Sequence, residues 1–216
     1  MKFISVNILL LALVLCVSAS VPAAGEEPAK KAYAASQSVP LEGVIHRMDI
    51  SGTMGSEFAA KEFLYRLNIA DRFTRKADIF VLFIDSPGGS VADLEKIVHS
   101  ILSTKGKRFV AVVDKALSAA AVVALACDTI YMKPGSRIGA ATPYFTNTDG
   151  EVISLPQAVE EKQFSAMRAL VRIAARNGGH SAVLAEAMVD PDIELTVTKV
   201  DGRPVLRRDG RGDILS

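Results

Sequence analysis

Residues 79–85 read Ile-Phe-Val-Leu-Phe-Ile-Asp, and this run constrains the fold of the 216-residue chain more than any other segment. A strand that is apolar at nearly every position carries apolar side chains on both of its faces. It must therefore lie in a sheet that other layers cover, as helices cover the parallel sheets of α/β proteins. We accordingly expect an α/β domain with this strand near its centre.

The alternation of strand and helix patterns supports the same fold class. Apolar runs predict three more strands, at 44–50, 109–113 and 129–132. Segments with helical spacing of apolar residues lie between the strands, at 56–73, 91–102 and 118–127. This β-α-β-α-β-α-β order predicts parallel strands joined by right-handed crossovers. We expect a long helix at 156–176, a shorter helix at 181–189 and a hairpin within 193–206 to follow.

The N-terminus has the layout of an export signal. Lys2 precedes an apolar run at 8–17, and small residues follow, with potential cleavage sites after Ala19 and Ala24. This pattern predicts a secretory signal peptide, with an uncleaved membrane anchor as the alternative. The protein is therefore expected to be exported, to the periplasm or the extracellular space.

The expected organisation has four parts: a signal peptide or N-terminal anchor at 1–24, a flexible spacer at 25–40, one folded domain at 41–192, and a hairpin with a polar tail at 193–216. The spacer is assigned from its Ala, Ser, Pro and charged residues. With 25 basic and 24 acidic residues and no Trp, the chain is not expected to bind nucleic acid. Cys127 would be the one cysteine of the mature chain, so it cannot form an intramolecular disulfide. We expect no metal and no cofactor.

Two turns carry residues suited to chemistry. The first, which we call the glycine turn, is Asp-Ser-Pro-Gly-Gly-Ser at 85–90, between a predicted strand and a predicted helix. Adjacent glycines allow backbone N–H groups to approach a ligand closely, and such groups at a helix start can hold an oxyanion. A plain turn is the alternative reading of this segment.

The second turn, which we call the serine turn, is Asp-Lys-Ala-Leu-Ser-Ala-Ala-Ala at 114–121, again between a strand and an apolar helix. Ser118 is expected at the N-terminus of that helix, where it is either a nucleophile or an ordinary N-cap. Both turns lie at the carboxyl ends of predicted parallel strands, where α/β proteins bind their ligands. A nucleophile beside oxyanion donors is what acyl transfer requires.

The motifs resemble those of a known family. Residues 84–91 look like the Ser-Pro-Gly-Gly segment shared by Clp proteases, signal peptide peptidase A and NfeD-type membrane proteases, and residues 116–120 are similar to their nucleophile segment. The run at 127–143 resembles the NfeD pattern in particular. The resemblance covers about 42–190 and implies the Clp protease/crotonase-like fold. It also implies Ser118 as nucleophile, with N–H groups at Gly88, Gly89 and Ala119 as the oxyanion hole.

The resemblance also directs the search for the general base. The position at which Clp proteases carry a His falls near Pro143, and no His lies between residues 100 and 179, so a Ser-His-Asp triad is not expected. NfeD-like enzymes take a Lys at the start of a long helix beyond the serine. Lys162 fits that position, 44 residues after Ser118, with Lys133 and Lys115 as fallbacks.

A dry environment is expected to help Lys162 accept a proton. The lysine borders a predicted apolar stripe on the long helix, formed by Val159, Ala166, Leu170 and Ile173. Burial makes a lysine lose its charge readily. The alternative is a solvated helix lysine beside its glutamate neighbours.

The predicted function is a Ser–Lys endopeptidase that cuts apolar segments of membrane-associated proteins. The resemblance implies a stomatin-like membrane protein or a leftover signal peptide as substrate, and assembly into a homo-oligomer. Ala120 replaces the glycine usual after Ser-Ala in the family, and longer NfeD relatives continue into membrane helices and a small β-barrel. Because of these departures, an inactive scaffold that binds membrane-protein partners is kept as the alternative. A crotonase-like acyl-CoA enzyme is the third reading, which export disfavours.

Overall fold

The computed structural model describes residues 44–73, 77–147, 149, 151–200 and 203–208. The predicted signal segment at 1–24, the spacer at 25–40 and the tail beyond residue 208 lie outside the described residues. The predicted four-part organisation therefore stays a prediction.

A four-stranded parallel sheet forms the centre of the domain, as the sequence predicts. Its strands are β1 (Val44–Ser51), β2 (Ala77–Ser86), β3 (Arg108–Leu117) and β4 (Thr129–Gly139), in the spatial order β1-β2-β3-β4. The fully apolar run lies in β2, which pairs on both sides and is thus a central strand. The prediction of an α/β fold with a mainly parallel sheet is confirmed.

Five helices accompany the sheet in the described residues: α1 (Ala60–Phe73), α2 (Val91–Ser103), α3 (Ala119–Leu125), α4 (Gln157–Asn177) and α5 (Ala182–Ala187). Helices α1, α2 and α3 are the crossovers between successive strands. Because each crossover returns the chain to the amino end of the sheet, the turns after β2 and β3 lie together at the carboxyl edge. The glycine turn and the serine turn are these two turns.

The core lies between the sheet and these helices. Met48, Leu82 and Ala111 are register partners on β1, β2 and β3, and all three are buried. Every residue of α3 is buried, which explains its composition of Ala, Val and Leu. A helix that is apolar all round fits only inside a protein, so α3 holds the serine turn against the middle of the core.

Two antiparallel hairpins complete the described fold. Strands β7 (Leu195–Val200) and β8 (Arg203–Arg208) pair where the sequence suggests a hairpin within 193–206. Strands β5 (Phe145–Thr146) and β6 (Val152–Ile153) form a smaller hairpin that the sequence analysis did not predict. Among the described residues, no helix combines the length and apolar character needed to cross a bilayer.

Candidate active site

The glycine turn and the serine turn are in direct contact. A Cβ atom built on Gly88 would lie 2.6 Å from the Cβ of Ser118 and 2.6 Å from the carbonyl oxygen of Leu117. These distances are well inside van der Waals contact, so only glycine allows the two backbones to approach this closely. The structure thus brings together the two turns that the sequence analysis singled out separately.

Ser118 has a backbone conformation that L-residues rarely adopt. Its φ is 52° and its ψ is −127°, and its side chain makes no capping hydrogen bond to α3. The Ser118 N–H donates to the carbonyl of Gly139 at 2.9 Å, which ties the serine turn to the end of β4. A strained residue persists only where its surroundings enforce it, and such residues concentrate at functional sites. The N-cap explanation of this serine is therefore not supported.

The glycine turn is held by backbone contacts with the segment after β1. Gly88 and Gly89 have φ values of 93° and 140°, and a Cβ on Gly89 would lie 2.2 Å from the carbonyl oxygen of Met54. The Met54 N–H donates to the Gly88 carbonyl at 2.7 Å, and the Ser90 N–H donates to the Met54 carbonyl at 2.9 Å. The requirement for two adjacent glycines is therefore steric as well as conformational.

Ser86 determines where the Gly88 N–H points. This side chain is fully buried, and its hydroxyl accepts a hydrogen bond from the Gly88 N–H at 3.1 Å. The same hydroxyl donates to the carbonyl of Gly52 at 2.6 Å. Among the described residues, the Gly89 N–H has no protein acceptor. Of the two predicted glycine donors, Gly88 is thus engaged within the protein.

A cavity of about 360 Å³ opens beside Ser118, and we call it the serine cavity. Ala119 also borders it, with its N–H in the first turn of α3, before intrahelical hydrogen bonds begin. The lining is mainly apolar and comes from both turns, α2, α3, α4 and the β5–β6 hairpin: Pro87, Gly89, Val91, Leu94, Ser118, Ala119, Val122, Ala141, Pro143, Tyr144, Phe145, Thr146, Gln163 and Met167. None of these lining residues carries a charge.

A second cavity, of about 500 Å³, lies near the amino ends of β2 and β3. Lys105 and Lys107 border it together with hydroxyl groups of α2. Two of those hydroxyls, on Ser100 and Ser103, donate to backbone carbonyls of α2 itself. This cavity is at the opposite edge of the sheet from Ser118, so the smaller serine cavity is the candidate active site.

The predicted base is not inside the serine cavity. Lys162 lies in α4 but is exposed, and the adjacent Gln163 lines the cavity instead. The fallback lysines are both paired with carboxylates: the Nζ of Lys115 lies 3.2 Å from Asp85, and the Nζ of Lys133 lies 3.0 Å from Asp114. None of the three lysines is brought to Ser118 in this conformation.

The apolar stripe predicted for the long helix is confirmed only at Leu170, which packs against the core, and its other members are exposed. Val159 and Ile173 are 43% and 54% exposed, whereas the buried positions of α4 are Met167, Val171, Ala174 and Ala175. Small alanines allow α4 to pack closely against α3. Ion pairs join α4 to α5 and to the segment after it, from Arg172 to Glu186 and from Arg168 to Asp190.

Histidine residues are absent from the lining of the serine cavity. The Nε2–H of His180 donates to the carbonyl of Cys127 at 2.8 Å, and His46 packs edge-on against Phe80. His99 is exposed on α2. Cys127 is fully buried, and this burial raises the pKa of its thiol, as expected for a structural cysteine.

The wall formed by Tyr144, Phe145 and Thr146 is not among the predicted site residues. A signal for it is present in the turn that closes the β5–β6 hairpin. The side-chain oxygen of Asn147 accepts hydrogen bonds from the N–H groups of Asp149 and Glu151, at 3.0 and 2.9 Å. The sequence Asn-Thr-Asp-Gly at 147–150 combines residue types that are typical of turns.

Comparison with protein families gives one match over most of the chain. The family model described as NfeD1b, N-terminal domain, matches residues 46–206. Membrane protein NfeD1b of Bacillus subtilis (strain 168) is 33% identical over 154 residues, which cover 71% of this chain and 31% of that protein. Membrane-bound protease PH1510 of Pyrococcus horikoshii is 26% identical over 159 residues, covering 72% and 34%. The chain thus spans only about a third of each of these relatives.

Solved structures of one protease share the fold. A serine-to-alanine mutant of the 1510-N membrane-bound stomatin-specific protease superposes with a TM-score of 0.59 at 25% identity, covering 70% of this chain and 72% of the other. A lysine-to-alanine mutant of that protease, in complex with a substrate peptide, gives a TM-score of 0.58 at 25% identity, covering 71% and 68%.

Proposed function

Because the chain belongs to the family of NfeD1b N-terminal domains, we propose that it is a serine endopeptidase that cuts peptides close to a membrane. The observation that carries the proposal is the strained conformation of Ser118, whose side chain caps nothing and whose residue lines an apolar cavity. The names of the relatives support peptidase chemistry and a membrane setting in general terms.

In the proposed reaction, the hydroxyl oxygen of Ser118 attacks the carbonyl carbon of the scissile peptide bond. The negative charge that develops on the carbonyl oxygen is stabilised by the N–H groups of Gly89 and Ala119. The carbon–nitrogen bond then breaks, the leaving amine takes from the base the proton that the Ser118 hydroxyl gave to it during the attack, and an ester to Ser118 remains. Water hydrolyses this ester and regenerates the serine. Gly88 contributes the close contact between the turns rather than a donor.

The base in this proposal is a lysine, with Lys162 as the first candidate. An exposed ammonium group keeps its proton in water, and a lysine accepts a proton only where surrounding water is removed. We propose that bound substrate draws the Lys162 side chain over the mouth of the serine cavity and shields it. The 1510-N protease in complex with a substrate peptide has a lysine replaced by alanine, which supports a role for that lysine in that protein.

The substrate class follows from the lining of the serine cavity. Aliphatic and aromatic side chains dominate it, so an extended apolar segment fits better than a charged one. The 1510-N protease is named as stomatin-specific, and we propose a stomatin-like membrane protein as the substrate here too. Export, an N-terminal membrane anchor and assembly into a homo-oligomer are parts of the same proposal.

A second candidate function is a scaffold that binds apolar peptides without cutting them. The specific observation in its favour is that no charged side chain lines the serine cavity, where Gln163 takes the place expected of a base. Ala120 in the serine turn is consistent with it as well. Binding and cutting differ only in what happens after the peptide enters, so the experiment must separate these two steps.

The test is cleavage of a panel of apolar peptides, including tails of stomatin-like proteins, by the purified chain and by its Ser118→Ala and Lys162→Ala variants. We expect the native chain to cut and both variants to be inactive while still folded. Covalent labelling of Ser118 by a peptidyl phosphonate, read by mass spectrometry, is expected in the native chain.

The outcomes separate the two functions. Peptide binding without cleavage and without phosphonate labelling would overturn the protease proposal in favour of the scaffold. Cleavage that survives Lys162→Ala but is lost with Ser118→Ala would keep the protease and move the base to another group, tested next at Lys133 and Lys115.

A further inference from the structure

Several backbone groups of the glycine turn are hydrogen-bonded within the protein. The carbonyl of Gly88 accepts from the Met54 N–H, and the N–H of Ser90 donates to the Met54 carbonyl. The N–H of Gly88 donates to the hydroxyl of Ser86. Of the three consecutive N–H groups at 88–90, the Gly89 N–H is the one without a protein acceptor among the described residues, and Gly89 borders the serine cavity.

Each of these hydrogen bonds fixes the plane of a peptide group. The peptide between Gly88 and Gly89 carries both the Gly88 carbonyl and the Gly89 N–H, on opposite sides. Because Met54 binds that carbonyl at 2.7 Å, the Gly89 N–H of the same peptide must point the other way. The preceding peptide is fixed by Ser86 through the Gly88 N–H.

Ser86 is one of two buried polar residues among the described residues, the other being Ser100. A buried hydroxyl needs hydrogen-bond partners, and Ser86 has both kinds: it accepts from the Gly88 N–H and donates to the Gly52 carbonyl at 2.6 Å. The hydroxyl thereby links the glycine turn to the segment after β1. Without this hydroxyl, the glycine turn keeps its hydrogen bonds to Met54 but loses the hydrogen bond that fixes the peptide between Pro87 and Gly88.

We propose that Ser86 is a positioning residue for catalysis: its hydroxyl and the Met54 backbone together aim the Gly89 N–H into the serine cavity as an oxyanion donor. This inference rests on the proposed function, because an oxyanion forms only if Ser118 attacks a carbonyl. Ser86 itself touches no reacting atom. It acts by orienting a backbone donor whose misalignment matters in the transition state more than in the bound substrate.

The test compares Ser86→Ala with Ser100→Ala, a matched loss of a buried serine hydroxyl. Ser100 donates to the Lys96 carbonyl at 2.6 Å within α2, away from the serine cavity. We expect Ser86→Ala to lower kcat about 10- to 100-fold with KM nearly unchanged, since removing an oxyanion donor outright costs about 100- to 1000-fold. Ser100→Ala is expected to keep the native kcat.

Two further measurements separate positioning from a general loss of structure. The inhibition constant of a peptide boronate, which forms a tetrahedral adduct with the serine, should rise by the factor by which kcat falls. The affinity of the uncut peptide, measured in a Ser118→Ala background, should not change when Ser86→Ala is added. Burst titration of active sites corrects kcat for any unfolded fraction, and Ser86→Cys serves as the conservative variant, with intermediate activity expected.

The outcomes are distinct. A native chain that neither cuts peptides nor binds the boronate would overturn the proposed function. A native chain that cuts, with Ser86→Ala within about twofold of it per active site, would overturn the positioning role alone. A parallel loss of kcat and of uncut-peptide affinity would also overturn it, because the hydroxyl would then shape the cavity as a whole.

Discussion

The two sides of the serine cavity are built differently. The side at the strand ends consists of the glycine turn and the serine turn, which are in close contact and hydrogen-bonded to β4 and to the segment after β1. The side formed by α4 and the β5–β6 hairpin has strands of two residues each, an exposed Gln163, and Tyr144, which is 69% exposed, although Met167 on this side is buried. Backbone contacts fix the positions of the residues on the first side, which we call the prepared side. We call the second side, formed by α4 and the hairpin, the open side.

This difference has a chemical counterpart. Nucleophile and oxyanion donors must be held in place before the substrate arrives, since their value lies in needing no reorganisation. A lysine base has the opposite need, because in an open site it stays solvated and protonated. In the proposed function, the prepared side holds Ser118 and the backbone donors in place in advance, and the open side receives the base when substrate binds.

The largest effect is expected from Ser118→Ala, which removes the proposed nucleophile from the prepared side. Peptide hydrolysis should fall by about 10³-fold or more, while thermal stability is retained because the serine side chain caps nothing. Ser181→Ala is the matched control, since the Ser181 hydroxyl accepts from the Leu184 N–H and is a true N-cap. It should lose about 1 kcal/mol of stability and keep its activity. The reverse pattern would make Ser118 a structural serine.

The open side is tested next with Lys162→Ala and Gln163→Lys. Loss of a general base costs about 10²- to 10⁴-fold in kcat, and we expect Lys162→Ala to fall in that range. Gln163→Lys places an amine inside the serine cavity, and in the Lys162→Ala background it should restore part of the activity. Steady-state kinetics on one apolar peptide measures both. Full activity in Lys162→Ala would show that this lysine is not the base.

The contact between the two turns is tested with Gly88→Ala. The added methyl would lie 2.6 Å from Ser118 and Leu117 atoms and the residue would keep its φ of 93°, so a loss of roughly 3 kcal/mol of stability is expected, together with activity. Gly106→Ala separates strain from clash, because Gly106 has a φ of 71° with nothing within 4 Å. It should lose only about 1–2 kcal/mol. Equal losses measured by urea unfolding would contradict a steric role for Gly88.

The prepared side could largely be predicted from the sequence, because its determinants are local. An entirely apolar strand such as β2 has to be buried, and two strand-to-helix turns at the carboxyl edge of a parallel sheet have to be neighbours. The residue types of the turns predict Ser118 as a candidate nucleophile, and the family resemblance implies Gly88, Gly89 and Ala119 as the oxyanion hole, roles that stay predictions. Sequence reasoning could not tell that Gly88 and Gly89 differ as donors, since this depends on Ser86 and Met54.

The open side could not be predicted in the same way, because it depends on how α4 is rotated about its axis. Adjacent residues on a helix differ by about 100° in direction, so Lys162 and Gln163 face different surroundings. Apolar residues occur on two faces of α4, and the sequence alone favoured the face of Val159 and Ile173. Contacts of Ala174 with the core, and of Arg168 with Asp190, favour the other.

The smallest expected effect concerns Asp93, which lies in the first turn of α2, directly after the glycine turn. Its carboxylate accepts from the Ala60 N–H at 2.8 Å and so joins the start of α1 to the start of α2. This hydrogen bond holds the pKa of Asp93 below its usual range, and a hydrogen bond from Ser90 has a smaller effect in the same direction. A carboxyl with a lowered pKa adds stability that is present at neutral pH and is lost as the pH falls through that pKa.

The native chain should therefore lose stability in acid more than Asp93→Asn does, and the difference in their free energies of unfolding should shrink between about pH 7 and pH 3. Urea unfolding at a series of pH values measures this difference, with Asp149→Asn, at an exposed turn position, as the control. If the difference stays constant across this pH range, the charge of the Asp93 carboxylate does not stabilise the contact between α1 and α2. Uncharged interactions alone would then hold the start of α2 beside the glycine turn.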